Sequence, residues 1–92
     1  MTVQVRYFAS FREAIGEKET EESAENIRDL LHSLAEKYEP LKDELFEDED
    51  GEKLKNHVNL LVNGNQIRTL EGLDTELEDG DTVSIYPPVA GG

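Results

Sequence analysis

The chain has 92 residues, of which 36% are hydrophobic, and this length predicts one small domain with a single core rather than two domains. It contains no cysteine, which excludes disulfides, a thiol nucleophile and a cysteine-ligated zinc site. Asp and Glu number 22 against 9 Lys and Arg, and the formal net charge of -13 disfavours nucleic acid and anionic membranes as partners and favours a basic protein surface.

The N-terminal segment is predicted to form two strands separated by a helical turn. Apolar and polar residues alternate from Met1 to Tyr7, which is typical of a strand with one buried face. Residues 12–16 indicate a short helical turn that Gly16 can end in the left-handed conformation. The polar residues 17–22 are interpreted as a second strand, at the edge of the sheet.

The main helix is predicted between residues 23 and 40. Ser23 is the expected N-cap, with Thr20 and Glu22 as competitors, and Pro40 is expected to end the helix. Apolar residues at three- and four-residue spacing predict an amphipathic helix of about 15 residues. They are Ile27, Leu30, Leu31, Leu34, Ala35 and Tyr38. Residues 41–46 can add one further short turn.

Residues 47–52 form an acidic run in which we tested the spacing of a calcium-binding EF-hand loop. If Gly51 is the loop glycine, the first ligand position falls on Phe46, which offers no oxygen ligand in its side chain. The run is therefore interpreted as a solvated acidic turn.

The second half of the chain is predicted to add three strands. Alternation from Val58 to Val62 indicates a strand, and Asn63-Gly64 is a strong signal for a hairpin turn, with a short return strand over residues 66–68. Residues 70–77 are interpreted as a loop that contains Leu70, Leu73 and Leu77, and residues 79–81 are interpreted as a turn. Residues 82–86 make the last strand, which Pro87 and Pro88 end because proline cannot donate to a sheet ladder.

This order of elements predicts an α+β fold in which the main helix packs across one face of the sheet. The first and last strands have the cleanest apolar alternation and are expected to lie centrally. The N-terminus lacks a signal peptide, and no apolar run approaches the ~20 residues that cross a bilayer, so a soluble cytoplasmic protein is expected.

The acidic composition has two interpretations, solubility and adaptation to high salt. Near 1 M salt the Debye length falls to about 3 Å, so the repulsion among carboxylates is largely screened. The second interpretation predicts that the melting temperature rises as KCl is added. Thermal denaturation over a KCl series measures this, and an unchanged or falling melting temperature would contradict the high-salt interpretation.

The side chains offer no convincing catalytic or metal-binding constellation. His32 and His57 are far apart in sequence and are interpreted as structural or surface residues, and close carboxylate pairs are expected by chance in so acidic a chain. No metal and no cofactor are therefore expected to be bound by this chain.

The C-terminus offers the best candidate for a reactive group, the terminal carboxylate of Gly92. We divide the chain into a domain over residues 1–87 and a tail over residues 88–92, which reaches roughly 16 Å when extended. Gly91 and Gly92 carry no Cβ, so they suit a narrow tunnel into another protein's active site. The alternative is a frayed terminus, in which small residues are also common.

Three stretches resemble the β-grasp sulfur carriers, in particular the small subunit of molybdopterin synthase (the MoaD family) and the small archaeal modifier proteins. Residues 7–16 resemble the family's Phe-Ala-x-x-Arg-Glu segment, residues 57–64 resemble its third strand, and residues 79–92 match its closing strand and tail. The resemblance implies a ubiquitin-like β-grasp fold with four to five strands in a mixed sheet on one main helix.

The resemblance also implies a mechanism in which the chain is a substrate and not an enzyme. An E1-like enzyme, which supplies ATP and magnesium, would convert the Gly92 carboxylate to an acyl adenylate. A thiocarboxylate for molybdopterin biosynthesis or an isopeptide bond to a lysine would follow. The implied partners are this enzyme, the large subunit of molybdopterin synthase, target lysines and a deconjugating metalloprotease.

By position, the resemblance places partner docking on residues at the two ends of the domain. They are Phe8, Arg12, Ile85, Tyr86, Pro87 and Pro88. Sulfur carrier and protein modifier both remain open at this point. A third hypothesis, from a different class, is a non-covalent binding module whose tail is incidental.

Overall fold

A computed structural model describes residues 1–48, 50, 52–55 and 58–86, with only the backbone described for residues 39 and 40. The predicted roles of His57 and of the tail after Tyr86 lie outside the described residues. The described elements are β1 (Thr2–Tyr7), α1 (Ser10–Ile15), β2 (Glu19–Ser23), α2 (Ile27–Lys37), α3 (Glu39–Leu45), β3 (Asn59–Val62), β4 (Asn65–Gln66) and β5 (Thr82–Tyr86).

The strands form one mixed sheet in the order β2-β1-β5-β3-β4. β1 and β5 are parallel, with Val5 opposite Val83, and the other neighbouring pairs are antiparallel. A parallel pair needs a long crossover, and the chain between β1 and β5 supplies it together with the helices. The prediction that the first and last strands are central is confirmed, and so is the polar edge strand β2.

The core lies between the sheet and α2, and period-two alternation selects its residues on the strands. In β1 the side chains of Val3, Val5 and Tyr7 are buried and their neighbours are exposed. In α2 the buried residues recur at helical spacing, as predicted: Ile27, Leu30, Leu31 and Leu34. The predicted α+β fold with one main helix on one sheet face is confirmed.

The limits of α2 differ from the prediction at both ends. Its N-cap is Asn26, whose side chain accepts a hydrogen bond from the Asp29 N–H at 2.7 Å, whereas Ser23 is the last residue of β2. α2 ends at Lys37, and Pro40 lies in the first turn of α3 rather than at the end of α2. Proline is tolerated there because the first N–H groups of a helix have no intrahelical partner.

An ion pair between β2 and α2 helps to fix the helix over the sheet. Glu22 points inward with a side chain only 4% exposed, and Lys37 at the end of α2 donates to its carboxylate at 2.7 Å. This hydrogen bond raises the pKa of Lys37. The pair gives the polar edge strand β2 a specific contact with the helix layer.

The hairpin after β3 is confirmed, although its return strand is shorter than expected. Asn63 and Gly64 have φ of 51° and 89°, as a turn with two positive φ angles requires. β4 contains only Asn65 and Gln66, and the chain then enters a 3₁₀ turn over Ile67–Thr69 that buries Ile67.

No helix in the described part of the chain is both long and apolar enough to span a bilayer.

Tyr7 places a phenol in the core, where its OH lies 2.7 Å from the Thr20 hydroxyl. Burial disfavours the phenolate and raises the pKa of Tyr7 from 10.0 to about 12. The unfolded chain releases this proton near pH 10, so the stability that depends on the neutral phenol is complete below pH 10. It is lost as the pH rises towards 12.

We expect the alkaline stability of a Tyr7→Phe variant to fall less steeply than that of the wild type. At pH 7 the variant should lose about 1 kcal/mol, because the hydrogen bond to Thr20 is removed. Between pH 10 and pH 12 the wild type should lose about 2–3 kcal/mol that the variant does not lose. Urea unfolding at a series of pH values measures both, and parallel losses in the two proteins would contradict the assignment.

Candidate functional site

The site is built where β1 and β5 end side by side. Phe8 follows β1, and its backbone N–H donates to the Ile85 carbonyl at 3.2 Å. The backbone then turns at Ala9, whose φ of 51° and ψ of -123° are sparsely populated for a residue with a Cβ. α1 begins immediately after this turn. The Phe8 ring therefore lies between Tyr86 at the end of β5 and Arg12 in α1.

Two aromatic rings form the centre of this surface, which we call the ring patch (Arg6, Phe8, Arg12 and Tyr86). The rings of Phe8 and Tyr86 are stacked, with centroids 4.3 Å apart and planes 8° from parallel. Tyr86 alternates with the buried Val83 and Ile85 on β5, so its ring lies on the open face of the sheet, away from α2. The patch therefore stands at the point where the chain leaves β5.

Two guanidinium groups flank the Phe8 ring. The Cζ atoms of Arg6 and Arg12 lie 5.7 and 5.6 Å from its centroid, which is within the range of cation–π attraction. Arg12 Nε also donates to the Tyr7 carbonyl at 3.1 Å, which fixes the guanidinium beside the end of β1. The patch combines flat apolar area with positive charge on a chain whose net charge is -13.

An open hollow of about 540 Å³ borders the ring patch on the side of β2. Arg6 and Arg12 line it, and Lys18 brings a third positive charge beside Glu17 and Glu19. Arg6 Nε lies 3.9 Å from a Glu19 carboxylate oxygen, and both side chains are about half exposed, so this pair is a weak one. Arg6 therefore remains available to an acidic group on a partner.

The predicted docking residues separate into three groups. Phe8, Arg12 and Tyr86 come together in the ring patch. Ile85 is 1% exposed and packs in the core, so the prediction that its side chain docks on a partner is wrong. Its alternation with Tyr86 explains this, since the two side chains point to opposite faces of the sheet. Pro87 and Pro88 lie outside the described residues, as do Gly91 and Gly92 of the predicted attachment site.

Two residues at this site were missed by the sequence analysis. Arg6 lies two positions before Phe8, and the alternation of β1 places both on the open face of the sheet. That periodicity was sufficient to find Arg6. Lys18 reaches the hollow only because β2 pairs with β1, and no local pattern in the sequence reveals this neighbour.

No cluster of three or more His, Cys, Asp or Glu residues suited to a metal ion occurs within residues 1–48, 50, 52–55 and 58–86. His32 packs edge-on against the Phe46 ring, with centroids 5.7 Å apart.

Comparison with known proteins agrees with this geometry. The fold is the ubiquitin-like β-grasp, since the chain superimposes on the solution structure of small archaeal modifier protein 1 from Methanosarcina acetivorans with a TM-score of 0.89, at 48% identity over 99% of this chain and 96% of that one. The ThiS family model matches residues 5–92, and the chain therefore belongs to this family of ubiquitin-like sulfur carriers.

Two curated relatives represent the two activities associated with such chains. Small archaeal modifier protein 3 of Haloferax volcanii is 44% identical over 95 residues, covering 100% of both chains. The sulfur carrier protein CysO of Mycobacterium tuberculosis is 34% identical over 77 residues, covering 84% of this chain and 83% of that protein. These relatives are a modifier and a sulfur carrier, and this chain belongs to the same class of carrier proteins.

Two similar structures contain partner chains. One is the complex of CysO with BexX from Amycolatopsis orientalis, with a TM-score of 0.85 and 32% identity over 98% of this chain and 99% of that one. The other is the complex of subunits 1 and 2 of the molybdopterin-converting factor from Helicobacter pylori, with a TM-score of 0.65 and 28% identity over 100% of both chains. Proteins of this fold thus assemble with other proteins.

Proposed function

We propose that this chain is a carrier whose Gly92 carboxylate is activated by an E1-like enzyme. The ring patch carries the proposal, because it places apolar area and positive charge where β5 ends, six residues before Gly92. A partner that binds the ring patch has the tail within reach, since six extended residues span roughly 20 Å.

The proposed chemistry needs no side chain of this protein as catalyst. A carboxylate oxygen of Gly92 attacks the α-phosphorus of ATP and pyrophosphate leaves, which forms an acyl adenylate. A hydrosulfide ion then attacks the carbonyl carbon and AMP leaves, which yields a thiocarboxylate. Alternatively, a lysine amine attacks the carbonyl carbon and forms an isopeptide bond. It displaces AMP from the adenylate, or it displaces an enzyme thiol from a thioester whose formation has already released AMP. ATP and magnesium belong to the activating enzyme.

The similarities support both fates of the activated carboxylate. Likeness to small archaeal modifier protein 3 favours conjugation to lysines, and likeness to CysO favours sulfur transfer. The complex of the two molybdopterin-converting factor subunits supports a large synthase subunit as a partner. We propose that the same ring patch is presented to each of these proteins in turn.

The charge of the chain is consistent with selective docking. The body carries a strong excess of carboxylates, whereas Arg6 and Arg12 make the ring patch locally positive. A partner with apolar side chains ringed by acidic groups fits this patch, and the remaining acidic surface repels it in other orientations.

The test is to express the tagged chain in its native host and to follow two products. Intact mass spectrometry should show exchange of one oxygen for sulfur at Gly92 if the chain carries sulfur. Immunoblots against the tag should show adducts of higher mass if it modifies lysines. If neither product forms while the protein is bound by other proteins, the chain is a non-covalent binding module and the proposal fails.

A further inference from the structure

A second hollow, of about 460 Å³, opens at the other edge of the sheet, beside β3 and β4. We call it the edge groove. Its floor is apolar: Val58, Leu60 and Ile67 are buried there, and Leu54 and Leu73 form half-buried walls. This volume suits one or two apolar side chains of a ligand.

Positive charge surrounds this apolar floor. The residues that line the edge groove include three of the nine Lys and Arg residues of the chain: Lys53, Lys55 and Arg68. Glu52 is the acidic residue of the lining, and its carboxylate accepts a hydrogen bond from Arg28 at 2.8 Å. On a chain with a net charge of -13, such a local excess of cations is a marked departure from the rest of the surface.

These cations are largely unpaired. Neither Lys55 nor Arg68 forms an ion pair with any residue that the structure describes. Lys53 lies 3.3 Å from Glu47, but its side chain is 71% exposed, so this pair contributes little and can exchange for another partner. The edge groove therefore offers positive charge that the described residues neutralise only weakly.

The backbone holds the lysine side of the edge groove in place. The Lys55 N–H donates to the Leu45 carbonyl and the Glu47 N–H to the Lys53 carbonyl, both at 2.8 Å. An isolated bridge between Phe46 and Leu54 joins the same two segments. The lysines thus project from a segment that is anchored to the end of α3, which lowers the entropy lost when a ligand binds.

We propose that the edge groove binds an acidic segment of a partner protein that carries an apolar side chain. Charge complementarity selects the carboxylates, and the apolar floor selects a Leu, Ile or Phe between them. A protein segment fits better than a small phosphorylated ligand, because the floor between the cations is apolar and can take an apolar side chain.

The buried floor of the edge groove faces the helices, whereas the ring patch lies on the open face of the sheet, although Asn59 of the groove lining pairs with Tyr86 on the neighbouring strand. Leu60 and Val62 of β3 face the helices, and Leu60 forms part of the groove floor, whereas Tyr86 lies on the open face. The proposal therefore goes beyond activation of the tail and adds a non-covalent contact with a second protein.

The experiment uses the full chain labelled with ¹⁵N and an acetylated, amidated peptide of sequence Asp-Glu-Leu-Leu-Asp-Glu. Its addition should shift the amide resonances around Leu54, Leu60 and Ile67. A peptide with both Leu replaced by Ser, and one with all acidic residues replaced by Lys, should leave these resonances unchanged. Equal shifts with the Ser peptide, or no shifts at these residues, would overturn the proposal.

Charge-reversal variants provide the second arm. Lys55→Glu and Arg68→Glu should each raise the Kd of the acidic peptide about tenfold. Lys42→Glu is the matched control, since Lys42 is an exposed lysine of α3 outside the groove lining, and it should change the Kd less than twofold, within the range typical of a distant surface charge. Equal effects of all three variants would show non-specific attraction and overturn the proposal.

Two further outcomes are decisive. If ATP or citrate shifts the same resonances and the peptide does not, the edge groove is a small-anion site and the peptide proposal fails. Activation of Gly92 by the E1-like enzyme should be unchanged in Lys55→Glu and Arg68→Glu. The two proposals can therefore fail independently. If the enzyme does not activate Gly92, the peptide titration still tests the edge groove.

Discussion

A chain that lacks Gly92 is expected to lose activation by the E1-like enzyme while it keeps the thermal stability of the wild type. The described core and sheet end at Tyr86, so the deletion removes no contact within them. The new terminal carboxylate lies one residue, about 3.3 Å, short of its former reach. Because a misplacement of 1 Å can cost about 100-fold in rate, we expect at least that loss.

ATP–pyrophosphate exchange with the purified activating enzyme measures this loss. Two further variants separate the position of the carboxylate from the identity of the residue. A chain extended by one Ser after Gly92 should also be inactive, because its carboxylate is displaced in the other direction. Gly92→Ala keeps the length and should retain more activity than either. If the deletion variant keeps more than half of the wild-type rate, Gly92 is not the activated residue.

Phe8→Ala is expected to weaken recognition of the chain by the activating enzyme without changing the chemistry at the tail. The substitution removes one ring of the stack and the surface over which Arg6 and Arg12 lie. An aromatic residue at the centre of an interface is typically worth 1.4 kcal/mol or more, so KM should rise about tenfold or more. The kcat value should change little, since the tail is intact.

Leu70→Ala is the matched control for Phe8→Ala. Leu70 is a large apolar side chain, 43% exposed, that lies outside the ring patch, and its truncation should leave KM within twofold of the wild type. Arg6→Glu should raise KM as well, because it replaces the guanidinium beside the Phe8 ring with a carboxylate. Similar KM values for Phe8→Ala and Leu70→Ala would remove the ring patch from the docking surface.

Much of the fold was predictable because burial in this domain follows simple periods. Alternation found β1 and β5, and three- and four-residue spacing found α2, since each of these elements buries one face against a single core. The ends of α2 were not predictable from the same signals. Asn26 and Ser23 are both good cap residues, and the pairing of β2 with β1 decides between them by taking Ser23 into the sheet.

The candidate site was predictable only in part, for a related reason. Resemblance supplied Phe8, Arg12 and Tyr86, but it also supplied Ile85, whose alternation with Tyr86 places it in the core. Arg6 follows from the alternation of β1. The partners of these residues, such as Lys18 and Glu19 on β2, depend on how distant segments pair, and that information is not contained in any local pattern.

The stack of Phe8 on Tyr86 joins the beginning of the domain to its end. β1 and β5 pair only after every intervening element of the sheet and helix layer has been synthesised, so a chain that ends before β5, or one in which these strands do not pair, does not present the two rings together. A protein that binds the stacked rings therefore binds only chains in which β1 and β5 are paired, which is to say folded domains. Activation would then be limited to folded domains, and unfolded chains would not consume ATP.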